Sequence, residues 1–111
     1  MKLGLGTVQF GLDYGITNAA GKTPAPEVHA ILARCAANGV DTLDTAALYG
    51  DSESVLGHHL PRPHGFRIVG KTLHLERELP LRTALDALRD GVVRSLARLG
   101  EPKLYALLVH R

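Results

Sequence analysis

Four side chains capable of proton chemistry stand at or just beyond the ends of apolar runs. Asp44 closes the run Val40–Asp44, Tyr49 lies in the turn that leads to Gly50, Lys71 closes Phe66–Lys71, and His110 closes Leu104–His110. A free phenol has a pKa of about 10 and is a poor proton donor at neutral pH. An ammonium beside it favours the phenolate, and a carboxylate beside the ammonium compensates its burial. A neutral imidazole can hydrogen-bond a carbonyl oxygen and fix its orientation. Asp44, Tyr49, Lys71 and His110 are therefore read together as a candidate catalytic set. Singly, each has a plainer role: a helix cap or turn residue, a snorkelling surface lysine, a satisfied structural histidine. Three successive strand ends and one intervening loop make the joint reading the stronger one.

The elements that must position these groups follow from periodicity and punctuation. Lys2–Phe10 carries apolar and β-favouring residues and predicts a buried strand running into a long loop, Gly11 to Lys22, rich in turn residues. Thr23 as cap, Pro24 or Pro26 in the first turn, and a stripe of Val28, Ile31, Leu32, Cys35 and Ala36 predict a helix that stops at Asn38 and Gly39. The strand Val40–Asp44 follows. A short helix is then capped by Asp51 or Ser52, with Val55, Leu56, His59 and Leu60 on its inner face, and ends at Pro61 and Pro63. Phe66–Lys71 predicts a third strand. From Pro80 to Leu99 the positions Leu81, Leu85, Leu88, Val92, Leu96 and Leu99 recur at helical spacing, with Asp86–Arg89 and Asp90–Arg94 as solvated pairs outside. Gly100 and Pro102 end this helix, and Leu104–His110 is a fourth strand.

Strands alternating with helices, without strict polar alternation, predict a parallel sheet covered by helices, either a doubly wound sheet or a (β/α)8 barrel. In either, the carboxyl ends of the strands line one face, so the four side chains converge there.

Composition narrows the function classes. A chain of 111 residues with 45% hydrophobic and 22% charged residues suits one small globular domain. A net charge of +2 without a basic run gives no footprint for nucleic acid, and no apolar run is long enough to span a membrane. The single cysteine, Cys35, makes no internal disulfide, reads as a buried small hydrophobe, and suits a cytoplasmic chain. The histidines His58, His59, His64 and His74 lack ligand spacing for a metal, and Gly4 and Gly6 do not complete a dinucleotide fingerprint.

The segment GLGTVQFG at the start, LDTAALYG with Ser52, Glu53, Leu56 and Gly57 behind it, the lysine closing FRIVGK and the histidine closing LYALLVH together resemble the aldo-keto reductases. The loop with DYGI and Asn18 is similar to the bacterial branch. The resemblance runs from about Leu3 to His110. It implies NADPH-dependent reduction of an aldehyde or ketone, with NADH as the alternative cofactor, on a (β/α)8 barrel. By the same resemblance Tyr49 is the proton donor, Lys71 the residue that eases its ionisation, Asp44 the partner of that lysine, and His110 the residue that orients the carbonyl. Gly6, Thr7 and Asp44 would lie at the nicotinamide.

Two departures shape the expectation. Only Met1 and Lys2 precede the first strand, where many members carry a hairpin. A full barrel takes roughly 250 residues, so residues 1–111 read as a partial barrel domain, its N-terminal half, truncated after strand four. Most dinucleotide contacts in the family come from the other half. Such a half leaves strands one and four as open edges through which it would associate. Three readings follow: a carbonyl reductase, a non-catalytic half barrel that needs a second half for cofactor and activity, and, less well supported by Asp44 and Tyr49, a lyase using Lys71 as an imine former.

Overall fold

The computed structural model describes residues 2–110. Four strands, β1 (Gly4–Gly6), β2 (Thr42–Asp44), β3 (Arg67–Lys71) and β4 (Ala106–Leu108), alternate with helices α1 (Val8–Gly11), α2 (Ala25–Ala37), α3 (Ser52–His59) and α4 (Leu81–Leu99). All neighbouring strands are parallel in the order β1-β2-β3-β4. Helical crossovers return the chain to the same end each time, which makes parallel pairing possible. None of the helices among the described residues is long and apolar enough to cross a membrane.

The register divides the sheet into two unlike faces. Gly6 pairs with Asp44, Asp44 with Val69, and Val69 with Ala106. Residues alternate sides along a strand, so Leu5, Leu43 and Ile68 share the opposite face. That face carries the core: Leu43 and Ile68 pack with Phe10, Val28, Leu32, Leu56, Leu60 and Leu99, and Leu5 packs against this cluster. Among the described residues, no helix packs against the face with Gly6, Asp44, Val69, Lys71 and Leu108, and Leu108 is exposed. The sheet is therefore covered on one side, as in the N-terminal portion of a (β/α)8 barrel whose wall surrounds an interior.

Several elements differ from what the sequence predicts. The strand expected over Lys2–Phe10 stops at Gly6. Both the amide and the hydroxyl of Thr7 bond the carbonyl oxygen of Asp44, at 3.0 and 2.9 Å, and one helical turn then swings Phe10 into the core. The strands expected from Val40 and over Leu104–His110 are shorter, with ladders limited to Thr42–Asp44 and Ala106–Leu108. Thr23 does not cap α2: Pro24 occupies that position, and the Thr23 amide bonds Gln9 instead. Asp51 stands at the N-cap of α3 but makes no capping bond, because its carboxylate holds Lys22 at 2.6 Å. Of the α2 stripe, Ala36 is exposed and Cys35 only half-buried, since α2 turns away from the core at its last turn. His59 is likewise half-buried and bonds His29 across to α2.

The long helix departs most. Leu81 and Leu85 are exposed, and the buried positions of α4 are Ser95 and Leu99. Only its C-terminal part lies on the body of the fold. Asp86 pairs with Arg82, one turn earlier, rather than with Arg89. The reason for the asymmetry sits at Gly57, where an added Cβ would lie 2.1 Å from the carbonyl oxygen of Arg98. The backbones of α3 and α4 touch there, and Glu53 on the same face of α3, almost fully buried, takes Arg98 at 2.6 Å. Gly100 closes α4 in the left-handed conformation at φ 65°, a region that glycine enters without a Cβ penalty.

Gly57→Ala is expected to destabilise the chain by about 1–3 kcal/mol, as overpacking against backbone does. Gly65→Ala, where an added Cβ meets nothing within 4 Å, is the control and should leave the thermal midpoint unchanged. Unfolding followed by circular dichroism compares the two, and equal midpoints would remove the close approach as the reason for this glycine.

Candidate active site

Asp44 and Lys71 end adjacent parallel strands on the open face. Lys71 extends two residues beyond Val69, the register partner of Asp44, so its side chain shares that face and reaches back along it. The ammonium bonds both carboxylate oxygens of Asp44, at 2.7 and 2.8 Å, and the carbonyl oxygen of Thr45 at 3.1 Å. All three ammonium donors thus have an acceptor. Lys71 is mostly buried while Asp44 keeps more of its surface in solvent. Burial pulls the ammonium toward neutrality, and the hydrogen bonds to the Asp44 carboxylate, with the Tyr49 phenol beside it, outweigh that pull. Lys71 is held above the ordinary lysine value.

Tyr49 joins this pair through its ring, whose centroid lies 4.8 Å from the Lys71 nitrogen. The turn that carries it is fixed by backbone contact. The Tyr49 amide bonds Ala46, and its carbonyl takes the Ser52 amide at 3.0 Å. A Cβ on Gly11 would lie 1.8 Å from that same Tyr49 carbonyl oxygen, and one on Gly50, at φ 57°, would lie 2.2 Å from the Gly11 carbonyl oxygen. No side chain fits at either place. The two glycines let the first loop press against the turn and aim the phenol.

His110 completes the set. Its ring stands edge-on to Tyr49 at 5.9 Å between centroids, and to His74 at 4.9 Å. Its amide donates to the hydroxyl of Thr72, which fixes the end of the fourth strand beside the loop after β3. The ring Nδ1 is buried and, among the described residues, has no partner. An open cleft of about 710 Å³ borders it, with Leu73, His74, Arg77 and Val109 among its walls.

The structure thus brings Asp44, Tyr49, Lys71 and His110 together. Gly6 lies exposed beside Asp44, and a Cβ there would meet nothing within 4 Å. Thr7 is different: it is fully buried, its hydroxyl donating to Asp44 O. That hydroxyl belongs to a buried chain absent from the sequence reading. Thr45 Oγ1 and Ser52 Oγ are 3.2 Å apart, and Ser52 Oγ lies 2.9 Å from both the carbonyl and the hydroxyl of Thr7. With Thr45 donating to Ser52 and Ser52 to Thr7, every hydroxyl proton has an acceptor. The chain ties the ends of β1 and β2 to the start of α3, behind Asp44. A buried serine at the first position of a helix preceded by two threonine-bearing strand ends was its only sequence signal. Among the described residues, no group of three or more His, Cys, Asp or Glu is placed to hold a metal ion.

The raised Lys71 value gives a signed prediction. The pair stabilises the fold fully below about pH 10.5, the ordinary lysine value, and the contribution is lost as pH rises through the higher folded value. Asp44→Asn should lower stability at pH 8 by about 1–3 kcal/mol and flatten the loss between pH 10 and 12. Urea unfolding across that range measures both. An unchanged alkaline slope in the variant would break the assignment.

Comparison with known proteins gives a consistent result. Residues 2–111 match the aldo/keto reductase family. A Pseudomonas aeruginosa protein assigned to the aldo-keto reductases superposes with a TM-score of 0.79 at 34% identity, covering 97% of this chain and 42% of that one. A second structure from the same organism, assigned likewise, gives 0.78 at 32% identity and covers 97% and 40%. The holo form of an aldo-keto reductase from Bacillus halodurans, 22% identical, shares the fold with a TM-score of 0.69 over 98% of this chain and 35% of its own. The chain thus spans less than half the length of each of these three structures. No curated protein matches it.

Proposed function

The chain belongs to the aldo/keto reductase family, and from that premise we propose that its open-face site takes part in reducing an aldehyde or ketone to an alcohol with a nicotinamide cofactor, NADPH first and NADH as the alternative. The observation that carries this reading is the position of the Lys71 ammonium, bonded to both oxygens of Asp44 and 4.8 Å from the ring of Tyr49.

The residues fit a flat ring at the strand ends. The floor at Gly6 is open, with no atom within 4 Å of where a Cβ would stand, and Asp44 is its register neighbour. Gly6 and Asp44 would hold the nicotinamide, and Thr7, its hydroxyl already committed, would shape the floor from below. When bound, the cofactor supplies the hydride that the carbonyl carbon accepts.

This chain's own residues handle the proton. Tyr49 donates its phenolic hydrogen to the carbonyl oxygen, so the C=O group becomes CH–OH. The phenolate that remains faces a full positive charge, and the ammonium is most useful there because the interaction strengthens as charge develops. Asp44 keeps the ammonium aimed. A ring N–H of His110 holds the carbonyl oxygen within reach of the phenol, which converts a bimolecular proton transfer into a positioned one. Tyr49→Phe is expected to lower carbonyl reduction by about 10²–10⁴-fold with the fold unchanged by circular dichroism. Turnover near the unmodified rate would remove Tyr49 from the proton step.

A second reading has its own support, since the chain spans only 42% and 40% of the P. aeruginosa structures. In it, these 111 residues form a half barrel that needs a complementary half, or a partner half associating through its open edges, for cofactor binding and activity. Titration of the isolated chain with NADPH, read by cofactor fluorescence, distinguishes the two. Saturable binding supports the first reading, and none up to millimolar cofactor supports the second.

A further inference from the structure

The cleft beside His110 has a one-sided chemistry. Its walls are Leu73, Leu75, Leu88 and Val109, and its ionisable groups are His74, Arg77 and His110. Among the described residues no carboxylate lines it. Glu76 and Glu78 flank Arg77 in sequence but are not among its walls. Among the described residues, Arg77 has no ion-pair partner, a condition it shares with Arg34, Arg89 and Arg94, and of these four it is Arg77 that lines the cleft. His74 stands edge-on to His110, 4.9 Å between centroids, and lines the same cleft as Arg77.

From this asymmetry we infer that the substrate carries an anionic group, carboxylate or phosphate, seated against Arg77 and His74 while its carbonyl reaches His110 and Tyr49. The inference rests on the carbonyl-reduction reading of the same site. A guanidinium presents planar paired donors that match a carboxylate or phosphate oxygen pair, and such charge-assisted bonds are about twice as strong as neutral ones. A neutral carbonyl compound would have the apolar walls and the carbonyl contacts but would gain nothing from the guanidinium. Specificity here is a difference of affinities, and the cleft supplies an attractive term for one class alone.

The test uses three aldehydes of one shape: benzaldehyde, 4-carboxybenzaldehyde and 4-formylphenyl phosphate. Binding to the full chain is read from the ring C–H signals of His74 and His110 by NMR, without cofactor, in the unmodified chain and in Arg77→Gln. Arg77 is exposed, so the variant should fold, and circular dichroism verifies this. The expected result is tighter binding of at least one charged probe than of benzaldehyde, a rise in its Kd of roughly tenfold in Arg77→Gln, and partial recovery in Arg77→Lys. The preferred probe tells carboxylate from phosphate. Equal binding of charged and neutral probes, or an equal loss for all three in Arg77→Gln, would overturn the inference. Addition of NADPH then separates it from the reading beneath it. Arg77-dependent binding without reduction of any probe would count against carbonyl reduction by this chain alone and leave the anion site standing. Reduction of all three at rates indifferent to Arg77 would do the reverse.

Discussion

A parallel strand has two faces, and in this chain helices cover only one. The apolar core lies on the covered side, where Leu43 and Ile68 meet Val28, Leu32, Leu56 and Leu99. Everything with chemistry lies at the strand ends of the other. The division is strict because side chains alternate along a strand, so a residue cannot serve both the core and the site. It also means that Asp44 and Lys71 reach each other without crossing the core, and that the apolar burial holding the strands in place does not compete with the charges for space.

Burying an ammonium costs several kcal/mol unless its donors are met. Lys71 meets that condition with two oxygens of one carboxylate and one backbone carbonyl. Asp44 in turn is held from behind by its own carbonyl oxygen, which receives both the amide and the hydroxyl of Thr7. The hydroxyls of Thr7, Ser52 and Thr45 lock β1, β2 and α3 together at that point. The ion pair is thus the visible end of a buried polar network whose members have complementary donors and acceptors, the condition under which such networks rigidify rather than destabilise. Close backbone approach does the same for Tyr49. Gly11 and Gly50 let the first loop lie directly on the turn, so the phenol is aimed by main-chain packing and does not depend on a flexible side-chain contact.

The two sides also differ in what they ask of the sequence. The helix-facing core needs apolar residues of about the right size at a regular period, and Val28, Leu32, Leu43, Leu56, Ile68 and Leu99 supply them in a pattern that is readable along the chain. The site needs particular groups at particular ends, and those were readable too, because Asp44, Lys71 and His110 each close an apolar run. The cleft with Arg77 was not: Arg77 and His74 sit in a loop without periodicity, and only the fold sets His74 beside His110 and brings Arg77 to the same cleft.

By itself, then, the chain's amino-acid order determined the alternation of strands and helices, their parallel arrangement, and the four residues that meet at the strand ends. Periodicity, punctuation and the placement of ionisable groups are local properties, and local properties survive in one dimension. The tertiary structure alone decided where β1 ends, since the Thr7 to Asp44 bonds span 37 residues. It also decided that the outer half of α4, with Leu81 and Leu85, stays uncovered, because the contact of Gly57 with Arg98 seats only its inner end. It turned Ser52 from a presumed cap into the centre of a buried hydroxyl chain, and Glu53 into the buried partner of Arg98. Each of these depends on which distant backbone a residue faces, a distance in space that no spacing along the chain encodes.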